Sequence, residues 1–267
     1  MPRLKPQALR PAARAFYRRV IAALLRADMP FLVGGGHALE RYTGIKRHTK
    51  DLDLFVRRRD YEPVMQVLGA AGFRTKHAFP HWLGKVYCGE EFVDVIYSSG
   101  NAVASVDDEW FTHAEPITLL GLEARACPAE EIIWSKAFVM ERERFDGADV
   151  AHLVRARGSR LDWERLLRRF GLHWQVLLSH VVLFDFIYPS ERAQIPAWLR
   201  SELGRRTQEA DTSVACGAKE CRGTLLSRTQ YLVDTEQWGY ADGRVRPNGP
   251  MSKEEVALWT AAIEREG

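Results

Sequence analysis

Phe31-Leu32-Val33-Gly34-Gly35-Gly36-His37-Ala38-Leu39-Glu40-Arg41-Tyr42, followed closely by Arg47-His48-Thr49-Lys50-Asp51-Leu52-Asp53-Leu54-Phe55-Val56, is the stretch that decides the fold. Residues 31–33 form a short apolar run and read as a buried strand. The three glycines that follow let the backbone turn sharply and approach an anion. Residues 37–42 read as a short helix, whose first turn offers unpaired N–H groups and a partial positive charge. Residues 51–56 alternate acid and apolar, which puts both carboxylates on one strand face and Leu52, Leu54 and Val56 on the other. Alternate strand residues stand about 7 Å apart at Cα, so carboxylate oxygens from both can converge on hard cations such as Mg²⁺. Two acids in an otherwise apolar strand are costly unless a cation or hydrogen-bond donors meet them. The plainer readings are a turn with no ligand and an exposed strand face.

Upstream, residues 10–26 carry Phe16, Val20 and Leu24 at helical spacing and stop at Asp28-Met29-Pro30. Downstream, residues 61–71 are helical by pattern and close at Gly72. Strands are expected over residues 73–77, 82–88 and 92–97, and the last holds Asp94 as a lone acid between apolar residues. A small hairpin turns about Gly121. Pro128 then opens a helix expected over residues 129–143, with acids in its first turn. The pattern stays mostly helical to about residue 204, loses its period over residues 205–250, and ends in a helix at Ser252. Glu255, three residues on, gives that helix a capping-box signature. Residues 1–115 and 116–267 are expected as two domains. The fold class is α/β: a small mixed β-sheet core with flanking helices, followed by a mostly helical C-terminal region.

The 267 residues hold 38 Lys and Arg against 35 Asp and Glu, a formal charge of +3 that conceals an asymmetry. Residues 1–60 carry 14 basic and 5 acidic side chains, net +9, while the remainder carries 24 and 30, net −6. A basic first quarter on an acidic remainder points to an anionic partner, or to solvated arginine-rich helix faces. The longest apolar run, residues 174–188, is interrupted by Gln175, Ser179, His180 and Asp185, and reads as a buried helix rather than a membrane span. The arginine-rich residues before Asp28 read as a helix of the fold rather than a targeting segment. Cys88, Cys127, Cys216 and Cys221 have no metal-site spacing and read as structural thiols in a reducing cytoplasmic setting.

The glycine turn after a strand, the paired-aspartate strand and the acid in Phe92-Val93-Asp94-Val95-Ile96 together resemble the DNA polymerase β-like nucleotidyltransferase superfamily. Residues 41–56 most resemble its stand-alone bacterial branch, which includes abortive-infection-type toxins and antibiotic-modifying transferases. The resemblance covers about residues 29–155. It implies that Asp51 and Asp53 hold two Mg²⁺ ions, and that Asp94 ligates the catalytic one and orients the attacking hydroxyl. It further implies a nucleoside triphosphate (NTP), such as ATP, as donor, with Gly34, Gly35, Gly36 and His37 at its phosphates. Many members carry Ser where this chain has Gly36, so backbone N–H groups or His37 would have to take over that contact.

Lys136, within Ile132-Ile133-Trp134-Ser135-Lys136-Ala137, is similar to a lysine of the toxin-like branch that reaches the triphosphate, with Asp149 as its orienting partner. The plainer reading makes Lys136 a surface lysine and Asp149 a helix-capping acid. Their spacing would put them on different faces of one continuous helix, so the pairing requires a break near Asp146-Gly147. Arg47 and Lys50 flank the paired aspartates and read as phosphate contacts. Arg57-Arg58-Arg59 read as an exposed strand end, and His173 and His180 as core or edge residues. Arg155, Arg157, Arg160, Arg165, Arg168 and Arg169 read as a solvated basic face. The expected function is Mg²⁺-dependent transfer of a nucleoside monophosphate to a hydroxyl of RNA, such as a tRNA end, or of a small hydroxylated molecule. The rival is a catalytically weak nucleotide- or partner-binding module that keeps the same fold.

Overall fold

The computed structural model describes residues 9–46, 51–212 and 219–261. Two compact units divide the chain, Met1–Pro128 and Ala129–Gly267. In the first, α1 (Pro11–Arg26) leads to β1 (Leu32–Val33), α2 (Gly35–Thr43), β2 (Leu52–Phe55), α3 (Arg58–Ala70), β3 (Arg74–Phe79), β4 (Leu83–Cys88) and β5 (Glu91–Ile96). A short α4 (Asp108–Thr112) and the strands β6 (Glu115–Leu119) and β7 (Leu122–Ala126) complete it.

The seven strands form one mixed sheet in the order β3-β4-β5-β2-β1-β7-β6. β2 runs parallel to β5, and β1 parallel to β7, while the other neighbours are antiparallel. The alternation in β2 resolves as expected: Leu52, Leu54 and Val56 are fully buried, and Asp53 and Phe55 face the other way at intermediate exposure. Val86, Val93 and Val95 continue that buried layer, and α1 contributes Phe16, Val20, Ile21 and Leu24. Each such side chain stabilises the fold by roughly 1.5–3 kcal/mol through burial.

The hairpin β6–β7 turns through Leu120 and Gly121, both at positive φ (54° and 75°), the backbone that a tight two-residue hairpin turn requires. Because β7 pairs with β1, the hairpin belongs to the first sheet, and the first compact unit runs to Pro128. Arg57-Arg58-Arg59 start helix α3 instead of ending a strand. Arg57 pairs with Asp60 at 2.5 Å and Asp108 at 2.8 Å, and Arg59 pairs with Asp108 at 2.5 Å.

The second unit is mostly helical: α5 (Ala129–Ala137), α6 (Gly147–Arg157), α7 (Trp163–Phe170), α8 (Trp174–Ile187) and α9 (Ala197–Thr212). Beyond them lie β8 (Glu220–Cys221), α10 (Leu232–Glu236), β9 (Ala241–Asp242) and α11 (Lys253–Thr260), the last opened by the expected Ser252/Glu255 capping box. Helix α5 stops at Ala137, six residues short of the expected end, where the chain reverses through a Met140–Phe145 bridge.

Helix α8 also departs from expectation. It buries Leu177, His180, Val181 and Phe184, yet leaves Val182 59% and Phe186 84% exposed. Taken as one helical stretch, Trp163–Ile187 is long and apolar enough to cross a membrane by length and composition alone. Gly171, at φ +48°, interrupts it, and α8 packs on α5, α6 and α7. Cys127 and Cys221 are buried thiols and Cys88 is an exposed one; Cys216 lies outside the described residues.

Candidate active site

At the end of β1 the Gly34 amide donates to the Asp53 carbonyl at 2.9 Å, which locks the glycine turn against the aspartate strand. Gly35 follows at φ +54°, and a Cβ placed on it would lie 1.7 Å from Asp53 Oδ2. Any side chain there would occupy the space of the carboxylate, and a left-handed φ disfavours one in any case. The turn then closes into α2, with Ala38 N–H donating to Gly34 at 3.2 Å. The first turn of that helix therefore begins in direct contact with Asp53.

Sheet register assembles the acids. Asp53 and Asp94 are direct partners across the parallel β2–β5 pair, and Asp51 lies one residue before β2. One oxygen from each of Asp51, Asp53 and Asp94 lies within 4.8 Å of the others, and all three residues are partly shielded from solvent. Lys85 on β4 is the cross-strand partner of Asp94, so Asp53, Asp94 and Lys85 form a row across three strands. The Lys85 ammonium is 2.9 Å from the buried Asp94 Oδ1, a direct ion pair. Burial pushes the Asp94 carboxyl above its ordinary range; Lys85 pulls it back, and Asp51 adds to the rise.

Two further groups face the trio. Burial lowers the His37 imidazole, against the pull of Glu40 and Asp51, and its Nε2 is buried with no hydrogen-bond partner among the described residues. Tyr17, on α1, is pushed up to about 12 by burial and by the charges of Glu91, Asp51 and Asp53, with Arg10 opposing. The donor set suits a hard divalent cation: three carboxylates whose oxygens converge, beside a backbone cradle too tight for a side chain.

Within the second unit, the reversal after α5 brings Lys136 to two carboxylates, Asp146 Oδ2 at 2.7 Å and Asp149 Oδ2 at 2.8 Å. Arg144 adds a forked contact to Asp146 at 3.0 and 2.9 Å. Burial opposes ionisation of Asp146, but Arg144 and Lys136 prevail and hold its carboxyl below the usual range. The break that the Lys136–Asp149 pairing requires therefore exists, spread over residues 138–146. Lys136 is an anchored cation rather than a surface lysine. Asp149 sits inside the first turn of α6, and Asp146 takes the capping position without a side-chain cap bond.

The model of a family of uncharacterised nucleotidyltransferases matches residues 11–182, most of the chain. The protein belongs to that nucleotidyltransferase family. Among solved structures, the antibiotic-resistance factor ANT(2'')-Ia in solution is similar with a TM-score of 0.45 and 18% identity, over 63% of this chain and 96% of its own. The lincosamide antibiotic adenylyltransferase LnuA gives 0.38 and 15%, over 55% and 98%. JHP933 from Helicobacter pylori gives 0.42 and 15%, over 76% and 98%. No curated protein matches the sequence.

In this nucleotidyltransferase the structure gathers Asp51, Asp53, Asp94, Gly34, Gly35 and His37 in the first unit. It gathers Lys136 and Asp149 in the second. Arg47 and Lys50 lie outside the described residues. Lys85 and Tyr17 escaped the sequence reading. The polar position of Lys85 within Leu83-Gly84-Lys85-Val86 was visible, but its pairing with Asp94 depends on register. Arg165 leaves the expected solvated face, because it is buried against Glu130 and Glu131, each at 2.8 Å. His180 is a core histidine, its Nε2 3.0 Å from the Ala137 carbonyl.

Proposed function

We propose that the protein transfers a nucleoside monophosphate from an NTP, such as ATP, to a hydroxyl acceptor, using Mg²⁺. One observation carries this reading: the three carboxylates of Asp51, Asp53 and Asp94 converge beside a glycine turn that opens a helix. Asp51 and Asp53 would hold two Mg²⁺ ions, with Asp94 a ligand of one of them. Bound there, the metal would offset charge on the transferred phosphoryl group and on the leaving pyrophosphate. The chain itself supplies the rest. Gly34 holds the turn against Asp53, and Gly35 and Gly36 bring backbone N–H groups close to the phosphates, with no hydroxyl at Gly36 to assist them. Asp94, aimed by its strand pairing, faces the acceptor hydroxyl and accepts its hydrogen bond.

The acceptor is an RNA end or a small hydroxylated molecule. Contacts within the unit hold three of the N-terminal arginines. Arg10 pairs with Glu91 at 2.7 Å, Arg18 donates to the Leu120 carbonyl at 3.2 Å, and Arg19 lies over the Phe73 ring. The test is label transfer from α-labelled NTPs to total RNA and to a panel of aminoglycosides. Label in one pool that disappears with Asp51→Ala identifies the acceptor; label that persists with Asp51→Ala defeats the reading. A cytoplasmic setting completes the proposal, supported by the thiols of Cys88, Cys127 and Cys221.

A further inference from the structure

Lys85 belongs to neither the glycine turn nor the paired-aspartate strand, yet strand register seats it directly across from Asp94. Its ammonium reaches Asp94 Oδ1 at 2.9 Å, with the lysine side chain 25% exposed and the aspartate 13%. The same ammonium stands 4.1 Å from the centre of the Phe92 ring, a second hold on it from the strand that bears Asp94. Both holds come from β5, the carboxylate of Asp94 and the ring of Phe92. Charge and the aromatic face therefore keep Lys85 in place, at the end of a flexible four-carbon stem. The oxygen it touches belongs to the carboxylate that a divalent ion shared by the trio would take.

We propose that Lys85 is a built-in counter-cation for Asp94, a positioning residue that competes with divalent metal for this carboxylate. The inference rests on the metal-dependent transfer proposed above, but concerns what Lys85 does before substrate arrives. Three carboxylates with oxygens within 4.8 Å repel one another, and one ammonium offsets part of that charge while it steadies Asp94 in the row. A metal ion that takes all three carboxylates must then either displace the ammonium or sit beside a like charge, and either course weakens its binding. The nucleotide-free protein therefore holds a divalent ion at Asp94 more weakly than the acids alone would.

The experiment is a Mn²⁺ titration of the full chain without nucleotide, read by the electron paramagnetic resonance of free Mn²⁺, with circular dichroism as the check on folding. Lys85→Met should bind Mn²⁺ roughly tenfold more tightly than wild type, as removal of a neighbouring like charge requires. Lys85→Arg should return affinity toward the wild-type value. Equal or weaker binding by folded Lys85→Met overturns the proposal, and a merely structural lysine would give that result.

A second measurement needs no variant. Saturating Mg²⁺ should increase the rate at which Lys85 is reductively methylated in wild type, followed by mass spectrometry; an unchanged rate also overturns the proposal. Asp53→Ala separates the two readings. If it binds Mn²⁺ as well as wild type, the metal site itself is refuted and the Lys85 proposal falls with it. If it loses Mn²⁺ while Lys85→Met gains none, only the Lys85 proposal falls.

Discussion

Two lysine–carboxylate clusters, one in each unit, differ in charge balance. In the first, Asp51, Asp53 and Asp94 gather beside Lys85, and burial raises the Asp94 carboxyl. In the second, Lys136 and Arg144 meet Asp146 and Asp149, and the Asp146 carboxyl lies below its ordinary value. The second cluster is internally balanced and satisfies its own buried charge, as a structural ion network must. The first concentrates negative charge that its lysine only partly offsets, which suits a site shaped for a cation from outside. The difference is one of neutralisation: the second cluster closes on its own cations, and the first keeps an excess of carboxylates.

The largest expected effect tests that difference directly. Asp53→Ala should lower nucleotidyl transfer at least about 1000-fold, because metal charge stabilisation is worth several kcal/mol. Asp146→Ala should instead be read chiefly in stability. Comparable activity losses for the two variants would erase the contrast.

Next in size, Lys136→Met should cost about 3 kcal/mol in urea denaturation, since it removes the cation shared by two largely buried carboxylates. Lys85→Met, which breaks a single pair on a partly exposed side chain, should cost less than about 1 kcal/mol. The reverse order would show that the first cluster is the structural one.

Gly35→Ala should weaken Mg²⁺-dependent nucleotide binding about tenfold through left-handed strain and contact with Asp53. Isothermal calorimetry would show this, and unchanged binding would remove the glycine cradle from the site.

The smallest effects are those of pH on stability. The folded Asp146 carboxyl lies below the ordinary 3.8. Its contribution is therefore complete above that pH and fades as acid carries the protein down through the folded value. Denaturation midpoints near pH 3 should be less acid-sensitive in Asp146→Asn. Burial lowers His180 from 6.5, so the unfolded chain takes up that proton first and stability falls as pH drops through 6.5. His180→Gln should flatten this limb.

The sheet core and its acids were legible in the sequence because alternation and glycine placement are local signals. Leu52, Leu54 and Val56 declared their face, and Asp53 and Asp94 stood out against apolar neighbours. Lys85 was not legible, since nothing local says which residue of β4 will oppose Asp94. The end of α5 at Ala137 was missed for a related reason. Residues 138–143 keep helix-compatible composition, and the reversal is imposed by pairing of Met140 with Phe145 and by burial of Asp146 against Lys136. The exposed side of α8 misled because composition reports how apolar a helix is, whereas packing against α5, α6 and α7 covers only one face of it.

The direct pairing of Asp53 with Asp94 also bears on how the molecule folds. β2 and β5 are parallel and separated in the chain by α3, β3 and β4, so their contact is non-local and slow to form. Side chains alternate between sheet faces, so a slip of one residue would send the two carboxylates to opposite sides. No cation could then bridge them. On the metal-dependent reading proposed above, metal affinity would report topology: only a chain that has completed its crossover in the correct register would gain the stabilisation that binding confers.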